Sequence, residues 1–154
     1  MSIQLDENAV VLETVAVVAN RNLAGFESRR RTSPVAAHFL TPEELGRRNR
    51  DMPLSSLVDG LPGVRKQCAG GHCSVQMRRM SSVMNSTGME NCSPFIYVDG
   101  SRDRIAETDV DMIRAGQVAA IEVYTREAQV PAEFTTLAAR RPCGVIAIWT
   151  RRRD

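Results

Sequence analysis

Chemically versatile side chains and large core anchors are scarce in this chain of 154 residues. Aromatic residues make up 5% of it, so aliphatic side chains must supply most of the packing. The two histidines, His38 and His72, have no serine or cysteine partner in a recognisable motif. A glycine-rich phosphate loop that leads into a helix is missing as well. We therefore expect neither an enzyme nor a bound cofactor.

The sequence also lacks a long apolar run and a strong excess of one charge. The sequence contains no run of about 18 apolar residues, which is the length that a helix needs to cross a bilayer. The N-terminus carries Asp6 and Glu7 where an export signal would be basic, so we expect no signal peptide within this sequence. The formal net charge is +2. The arginine runs contain no interleaved aromatics, so binding to nucleic acid is not expected.

The four cysteines allow three disulfide pairings, and their even number suits an oxidising compartment. Cys92 lies just before a predicted strand at Phe95, and Cys143 begins the last predicted strand. If those strands are adjacent, the two thiols come together. We therefore favour a disulfide between Cys92 and Cys143 that joins two strands of one sheet.

Cys68 and Cys73 form the second candidate disulfide. Gly70 and Gly71 lie between them and allow the chain to turn back within the short distance that a disulfide requires. The alternative is a metal or thiol site that includes His72. Its cysteine spacing is looser than that of a zinc knuckle, and few further ligands are available, so we expect no metal.

Strand-prone and helix-prone segments alternate along the chain. Thr41, Pro42 and the glutamates that follow are typical of a capped helix start, and Pro62 with Gly63 predicts a turn into a strand. We expect helices at residues 25–31, 42–49, 53–61 and 110–115, and strands from 64, at 74–80, 95–98, 121–124 and 143–150. Residues 32–40 are expected to be an irregular link, and residues 81–93 a loop. This order predicts an α+β fold with a small mixed β-sheet and short helices.

The last predicted strand, 143–150, carries apolar side chains on both of its faces. Such a strand is buried on two sides, so it should be central in the sheet. We expect it to lie beside the strands at 95–98 and 121–124. The acidic residues between Asp99 and Asp111 lack the spacing of a calcium loop and are expected to cap helices and solvate turns.

The order of these pieces resembles the plug domain of TonB-dependent outer-membrane receptors, over roughly residues 10 to 150. That family shows a helix ending in leucine, proline and glycine, an arginine-containing strand, an aliphatic strand closing in Asp-Gly, an Ile-Glu-Val strand and a final Gly-Val-Ile strand. The matching residues are Pro62, Gly63, Arg78, Asp99, Gly100, Ile121, Glu122, Val123 and Gly144. Arg79 stands where the family has glycine, which indicates a divergent branch.

The resemblance implies a gate. In the family, the plug closes a large β-barrel until ligand binding outside and a pull from the periplasm rearrange it. A barrel of about 22 strands needs over about 200 residues, so we expect a longer chain or a separate protein to supply it. The implied location is the periplasmic side of the outer membrane, and the implied ligand is a small molecule, glycan or peptide. The alternative is a freestanding periplasmic binding or adaptor module.

Residues 11–19 resemble the TonB box, an extended peptide that pairs with the C-terminal domain of TonB. The box-like residues are Leu12, Glu13, Thr14, Val15, Ala16, Val17 and Val18. An ordinary edge strand is the alternative. The organisation implied is an N-terminal extended segment and irregular link over 1–40, a plug-like domain over 41–150 and a basic tail over 151–154.

Overall fold

The computed structural model describes residues 23–33, 37–80, 89–126, 129–134 and 143–151. In chain order its elements are α1 (residues 23–32), β1 (His38–Leu40), α2 (Pro42–Gly46), α3 (Leu54–Val58), β2 (Val64–Ala69), β3 (His72–Met80), β4 (Met89–Cys92), β5 (Phe95–Val98), β6 (Ser101–Arg102), α4 (Arg104–Thr108), β7 (Val118–Tyr124) and β8 (Val145–Thr150). Short 3-10 turns lie at Val110–Met112, Ala115–Gln117 and Ala132–Phe134. None of the helices in these ranges combines the length and the apolar character that crossing a bilayer requires.

The larger sheet has five strands in the order β1-β7-β8-β5-β6. β8 runs parallel to β5, with Ile96 opposite Ile146, and antiparallel to β7. The sheet is therefore mixed, and β8 lies at its centre between the two strands that were expected beside it. The predicted α+β fold with a small mixed sheet is confirmed.

Both faces of β8 are buried, as its apolar pattern predicts. On one face, Ile146 and Ile148 belong to a cluster that includes Leu54 and Leu57 of α3 and Met77 of β3. All five side chains are at most 2% exposed. Burying a side chain of this size contributes about 1.5–3 kcal/mol, so this cluster holds the sheet, α3 and β3 together.

The opposite face of β8 carries an aromatic cluster. Tyr97 and Tyr124 pack there with Phe134. Phe39 of β1 lies 6.0 Å from the Tyr124 ring, and Phe26 of α1 lies 5.8 Å from Phe39. α1 therefore covers the aromatic face of the sheet.

The smaller sheet consists of β2, β3 and β4. The strands predicted from residue 64 and at 74–80 are present as β2 and β3, which pair antiparallel. The turn between them places Gly70 at φ +60° and Gly71 at φ +82°, the conformation of a tight two-residue hairpin turn. Cys68 and Cys73 face each other across this hairpin and form a disulfide.

β4 corrects the expected loop at residues 81–93. Met89–Cys92 pairs with the end of β3 in an antiparallel ladder. The sequence did not predict this strand because the segment shows no alternation of apolar residues. β4 is an edge strand, and its pairing depends on main-chain hydrogen bonds. Residues 81–88 lie outside the described part of the chain.

The second disulfide joins Cys92 to Cys143, whose Cα atoms are 6.2 Å apart. These are the two cysteines that the sequence favoured as a pair. Cys92 ends β4 of the smaller sheet, and Cys143 precedes β8 of the larger one. The disulfide therefore ties two sheets together, whereas two strands of one sheet were expected, because β4 itself was not predicted.

Two helices are present but shorter than expected. α2 begins with a capping box, in which the Glu44 N–H donates to Thr41 Oγ1 at 3.3 Å and the Thr41 N–H donates to Glu44 Oε2 at 2.9 Å. It ends at Gly46 because residues 46–51 are exposed and polar, and no buried face supports another turn. α3 ends at Val58 for the same reason, with Asp59 and Gly60 exposed.

Two local predictions need correction. The helix expected at 110–115 is present only as a 3-10 turn at Val110–Met112, and the α-helix of this region, α4, begins further upstream because the Asp103 side chain accepts from the N–H groups of Ile105 and Ala106. The expected irregular link also contains an element, since His38–Leu40 forms β1 and pairs with β7. The short helix expected at 25–31 is confirmed as α1, so the segment 23–40 packs on the sheet.

Candidate functional site

Glu122 is a charged residue buried in the central sheet. Along β7, Ile121 and Val123 point into the aliphatic cluster, so Glu122 and Tyr124 point to the aromatic face. Glu122 is 0% exposed. A carboxylate in such surroundings is unfavourable unless hydrogen bonds and an opposite charge compensate it, so its partners determine what the site does.

Arg29 of α1 supplies the opposite charge. Its Nε lies 2.7 Å from Glu122 Oε1, and its Nη2 donates to Oε2 at 3.1 Å, which is the strong two-point geometry of a guanidinium on a carboxylate. Trp149 Nε1 donates to the same Oε2 at 3.1 Å, and Arg29 Nη1 reaches Glu133 Oε1 at 2.6 Å. We call Arg29, Glu122, Glu133 and Trp149 the α1 clamp.

The electrostatics of the clamp follow from its burial. Burial raises the pKa of Glu122, although the hydrogen bond and charge of Arg29 act against that shift. Burial also lowers the pKa of Arg29, but the contacts with Glu122 and Glu133 outweigh it and raise the pKa overall. The guanidinium lies 5.1 Å from the centre of the Phe134 ring and 5.5 Å from that of Trp149, within cation–π range. Arg29 therefore stays a cation and ties α1 to the sheet.

A second polar cluster holds the segment between α4 and β7. Asp109 accepts from the N–H of Cys73 at 3.2 Å and contacts His72 Nδ1 at 3.0 Å. These hydrogen bonds lower the pKa of Asp109, and the contact with His72 has the largest effect. Asp111 accepts from the N–H of Ser55 at 2.7 Å and from its hydroxyl at 2.8 Å. The acids thus fasten this segment to the β2–β3 hairpin and to α3.

The cysteines and histidines considered for a metal site have other partners. Cys68 is bonded to Cys73, and His72 contacts Asp109. Within the described ranges no group of three or more histidine, cysteine and acidic residues is arranged to hold a metal ion.

The family-motif residues do not meet in one site. Pro62, Gly63 and Arg78 lie together, since the Arg78 N–H donates to the Gly63 carbonyl at 3.0 Å. Asp99 and Gly100 form the turn between β5 and β6, with φ +50° and +88°, which is the geometry of a tight Asp-Gly hairpin turn.

Gly144 is required by close packing. A Cβ there would lie 2.5 Å from the Tyr124 carbonyl oxygen and would collide with Met77. Asp99 has a second role, because it accepts from the Thr150 N–H at 2.9 Å. These motif residues fix turns and packing, whereas Glu122 makes the buried charge contact.

Sequence reasoning missed Arg29, Glu133 and Trp149 as site residues. Arg29 is one of three consecutive arginines at 29–31, and it lies 93 positions from Glu122. Two local signals point to the contact. A carboxylate in the middle of an aliphatic strand requires a cation, and Arg29 shares a helix face with the buried Phe26 three positions before it. The box-like residues 12–18 lie outside the described part of the chain.

Comparisons with known proteins place the fold. No family model and no curated protein matches the chain. The siderophore receptor PirA from Acinetobacter baumannii matches with a TM-score of 0.51 and 17% identity, over 80% of this chain and 18% of the receptor. The ferric enterobactin receptor PfeA matches with a TM-score of 0.51 and 22% identity, over 79% and 18%. A mutant of that receptor from Pseudomonas aeruginosa gives 0.52 and 22%, over 81% and 18%.

These likenesses confirm the resemblance at the level of the fold. The chain has a plug-like α+β fold that occurs in TonB-dependent siderophore receptors. It spans about a fifth of the length of the solved structures that it matches, since it covers 18% of each of them.

Proposed function

We propose that the chain is the plug, or gating domain, of a TonB-dependent outer-membrane receptor that takes up a ligand, and that it performs no catalysis. The observation that carries this proposal is the fold, because 80% of the chain matches a portion of a siderophore receptor. A longer chain or a separate protein supplies the barrel. The ligand is a small molecule, glycan or peptide, and the site of action is the periplasmic side of the outer membrane.

The α1 clamp supports a gate that responds to a pull on the N-terminus. α1 is the first described element after the box-like residues 12–18. A force on that segment therefore reaches α1 before it reaches the central strands. α1 is held by the buried Phe26 and by the contact of Arg29 with Glu122, so the clamp is where the pull is resisted.

A plug exchange tests the gating function. The plug of a ferric enterobactin receptor is replaced by this chain, and ion conductance is recorded in planar lipid bilayers. We expect the exchanged receptor to stay closed, as the unaltered receptor does, while the same receptor with its plug deleted conducts. Limited proteolysis establishes that the inserted chain is folded. Open pores around a folded chain would overturn the proposal.

A binding experiment tests the box-like segment 11–19. The full chain, a variant lacking residues 10–19 and a variant with those residues in scrambled order are titrated with the purified C-terminal domain of TonB. Main-chain pairing needs a free strand with the right side-chain order, so we expect only the full chain to bind. Equal binding by all three variants would remove the box assignment and leave the plug exchange unaffected.

A freestanding periplasmic adaptor is the second candidate. It is favoured by two exposed apolar side chains, Ile105 at 68% and Met112 at 67%, since an adaptor needs an apolar contact surface. The plug exchange separates the two candidates, because an adaptor is not expected to close the barrel and the exchanged receptor would then conduct ions.

A further inference from the structure

A surface pocket of about 450 Å³ lies where three segments meet: the loop before α3, the 3-10 turn at Ala115–Gln117 and the end of β8. Its charged lining consists of Arg50, Arg114, Arg151 and Asp51. The lining therefore contains three positively charged residues and one negatively charged residue. The volume is in the range of pockets that hold small ligands, roughly 300–1,000 Å³.

The walls of the pocket are held by main-chain hydrogen bonds. The Gly116 N–H donates to the Arg50 carbonyl at 3.0 Å, and the Arg151 N–H donates to the Gln117 carbonyl at 2.7 Å. The Arg151 side chain is fixed too, because its Nε donates to the Val118 carbonyl at 3.2 Å. The positions from which the arginines extend are thus set before any ligand arrives, which lowers the entropic cost of binding.

The arginines of the pocket form no ion pairs with other described residues. Within the described residues, Arg29 and Arg102 pair with glutamates, whereas neither Arg50 nor Arg114 forms an ion pair there. Arg151 donates to the Val118 carbonyl and likewise forms no ion pair with a described residue. A further acid near the wall, Asp99, already accepts from the main chain and hydroxyl of Thr150.

We propose that this pocket binds a small soluble anion that carries at least two carboxylate or phosphate groups. Guanidinium groups present paired N–H donors that match both kinds of group. Three arginines on three segments can contact more than one anionic group at once, and Ile113 adds an apolar wall. The proposal stands apart from the gating function, because it depends on the pocket alone.

Isothermal titration of the full chain at low ionic strength tests the proposal, with pyrophosphate and citrate as the probes. Losing a hydrogen bond between a charged donor and a bound anion costs about tenfold in affinity or more. Arg114→Gln should therefore weaken binding at least tenfold. The matched control is Arg65→Gln, which removes the same charge from an exposed position of β2 in the other sheet. Both residues are exposed, so an unchanged melting temperature should accompany both substitutions.

The outcomes are distinct. Saturable one-to-one binding of either probe that Arg114→Gln weakens and Arg65→Gln spares supports the proposal, and the preferred probe identifies the anionic group. Three results would overturn it: no binding of either probe at millimolar concentration, equal weakening by both substitutions, or binding only to vesicles that contain phosphatidylglycerol and not to the soluble probes.

Discussion

Replacing Arg29 by methionine would show how much the α1 clamp stabilises the fold. The change removes the guanidinium from Glu122, which is 0% exposed, and keeps a side chain of similar length beside the aromatic rings. Removing one partner of a buried ion pair costs about 3–5 kcal/mol, because the other charge is left unpaired. The Trp149 hydrogen bond to Glu122 remains, so we expect a loss near the lower end of that range.

Urea unfolding followed by tryptophan fluorescence measures this loss directly, since Trp149 is the one tryptophan in the chain and contacts the clamp. The matched control is Arg30→Met. Arg30 lies next in the sequence and pairs on the surface with Glu27 at 3.0 Å, so it should cost less than about 1 kcal/mol. The reasoning about the clamp is refuted if Arg29→Met and Arg30→Met destabilise the chain equally.

The clamp also predicts a pH dependence of Arg29→Met. Burial raises the pKa of Glu122 above its usual 4.5, and removal of Arg29 takes away the main opposing effect. A carboxyl with a raised folded pKa binds its proton first in the folded state, so stability falls as pH rises from the unfolded value through the folded one. The loss caused by the substitution should therefore be smaller at about pH 5 than at about pH 8.

Three further predictions follow from individual contacts. Gly144→Ala forces a Cβ against the Tyr124 carbonyl and should cost about 1–3 kcal/mol in urea unfolding, whereas Gly46→Ala, whose Cβ meets nothing within 4 Å, should not destabilise. Serines in place of the Cys92–Cys143 disulfide, which closes a loop of 51 residues, should lower the free energy of unfolding by about 4 kcal/mol; no change in the denaturation midpoint would contradict this. Asp109→Asn should lower stability at about pH 5 but not in stronger acid. The lowered pKa of Asp109 contributes stability at pH values above the unfolded pKa of 3.8, and this contribution is lost as pH falls through the folded pKa. In an acid-unfolding series, a loss of stability that is the same across this pH range would exclude the effect.

The central sheet was predictable because its signals are local. β8 alternates apolar side chains on both faces, and only a central strand buries both. The Asp99-Gly100 turn and the turn of the β2–β3 hairpin were also predictable, because a backbone with positive φ favours glycine. β1 and β4 were missed because each is a short edge strand whose pairing comes from the neighbouring strand and from no pattern of its own.

Only the acidic member of the candidate site could be singled out from the sequence. Glu122 stood out within the family motif, but its partner did not, because Arg29 is one of many arginines and the contact depends on how α1 crosses the sheet. Tertiary packing selects one guanidinium from a chain in which nearly every basic residue is arginine. Long-range ion pairs of this kind are set by the topology that brings two segments together.

The contacts within the fold divide it into two parts that should resist an N-terminal pull differently: α1 with β1, and the central strands β7, β8 and β5. β1 is an edge strand bonded only to β7 among the described strands, and α1 is held by the buried Phe26 and by the pair of Arg29 and Glu122. Water that enters an opening clamp solvates both charges, so this attraction falls away over a short separation. The Cys92–Cys143 disulfide closes the segment that contains β5 and β7. A pull would therefore detach α1 and β1 while β7, β8 and β5 remain joined, which is what the proposed gating function requires.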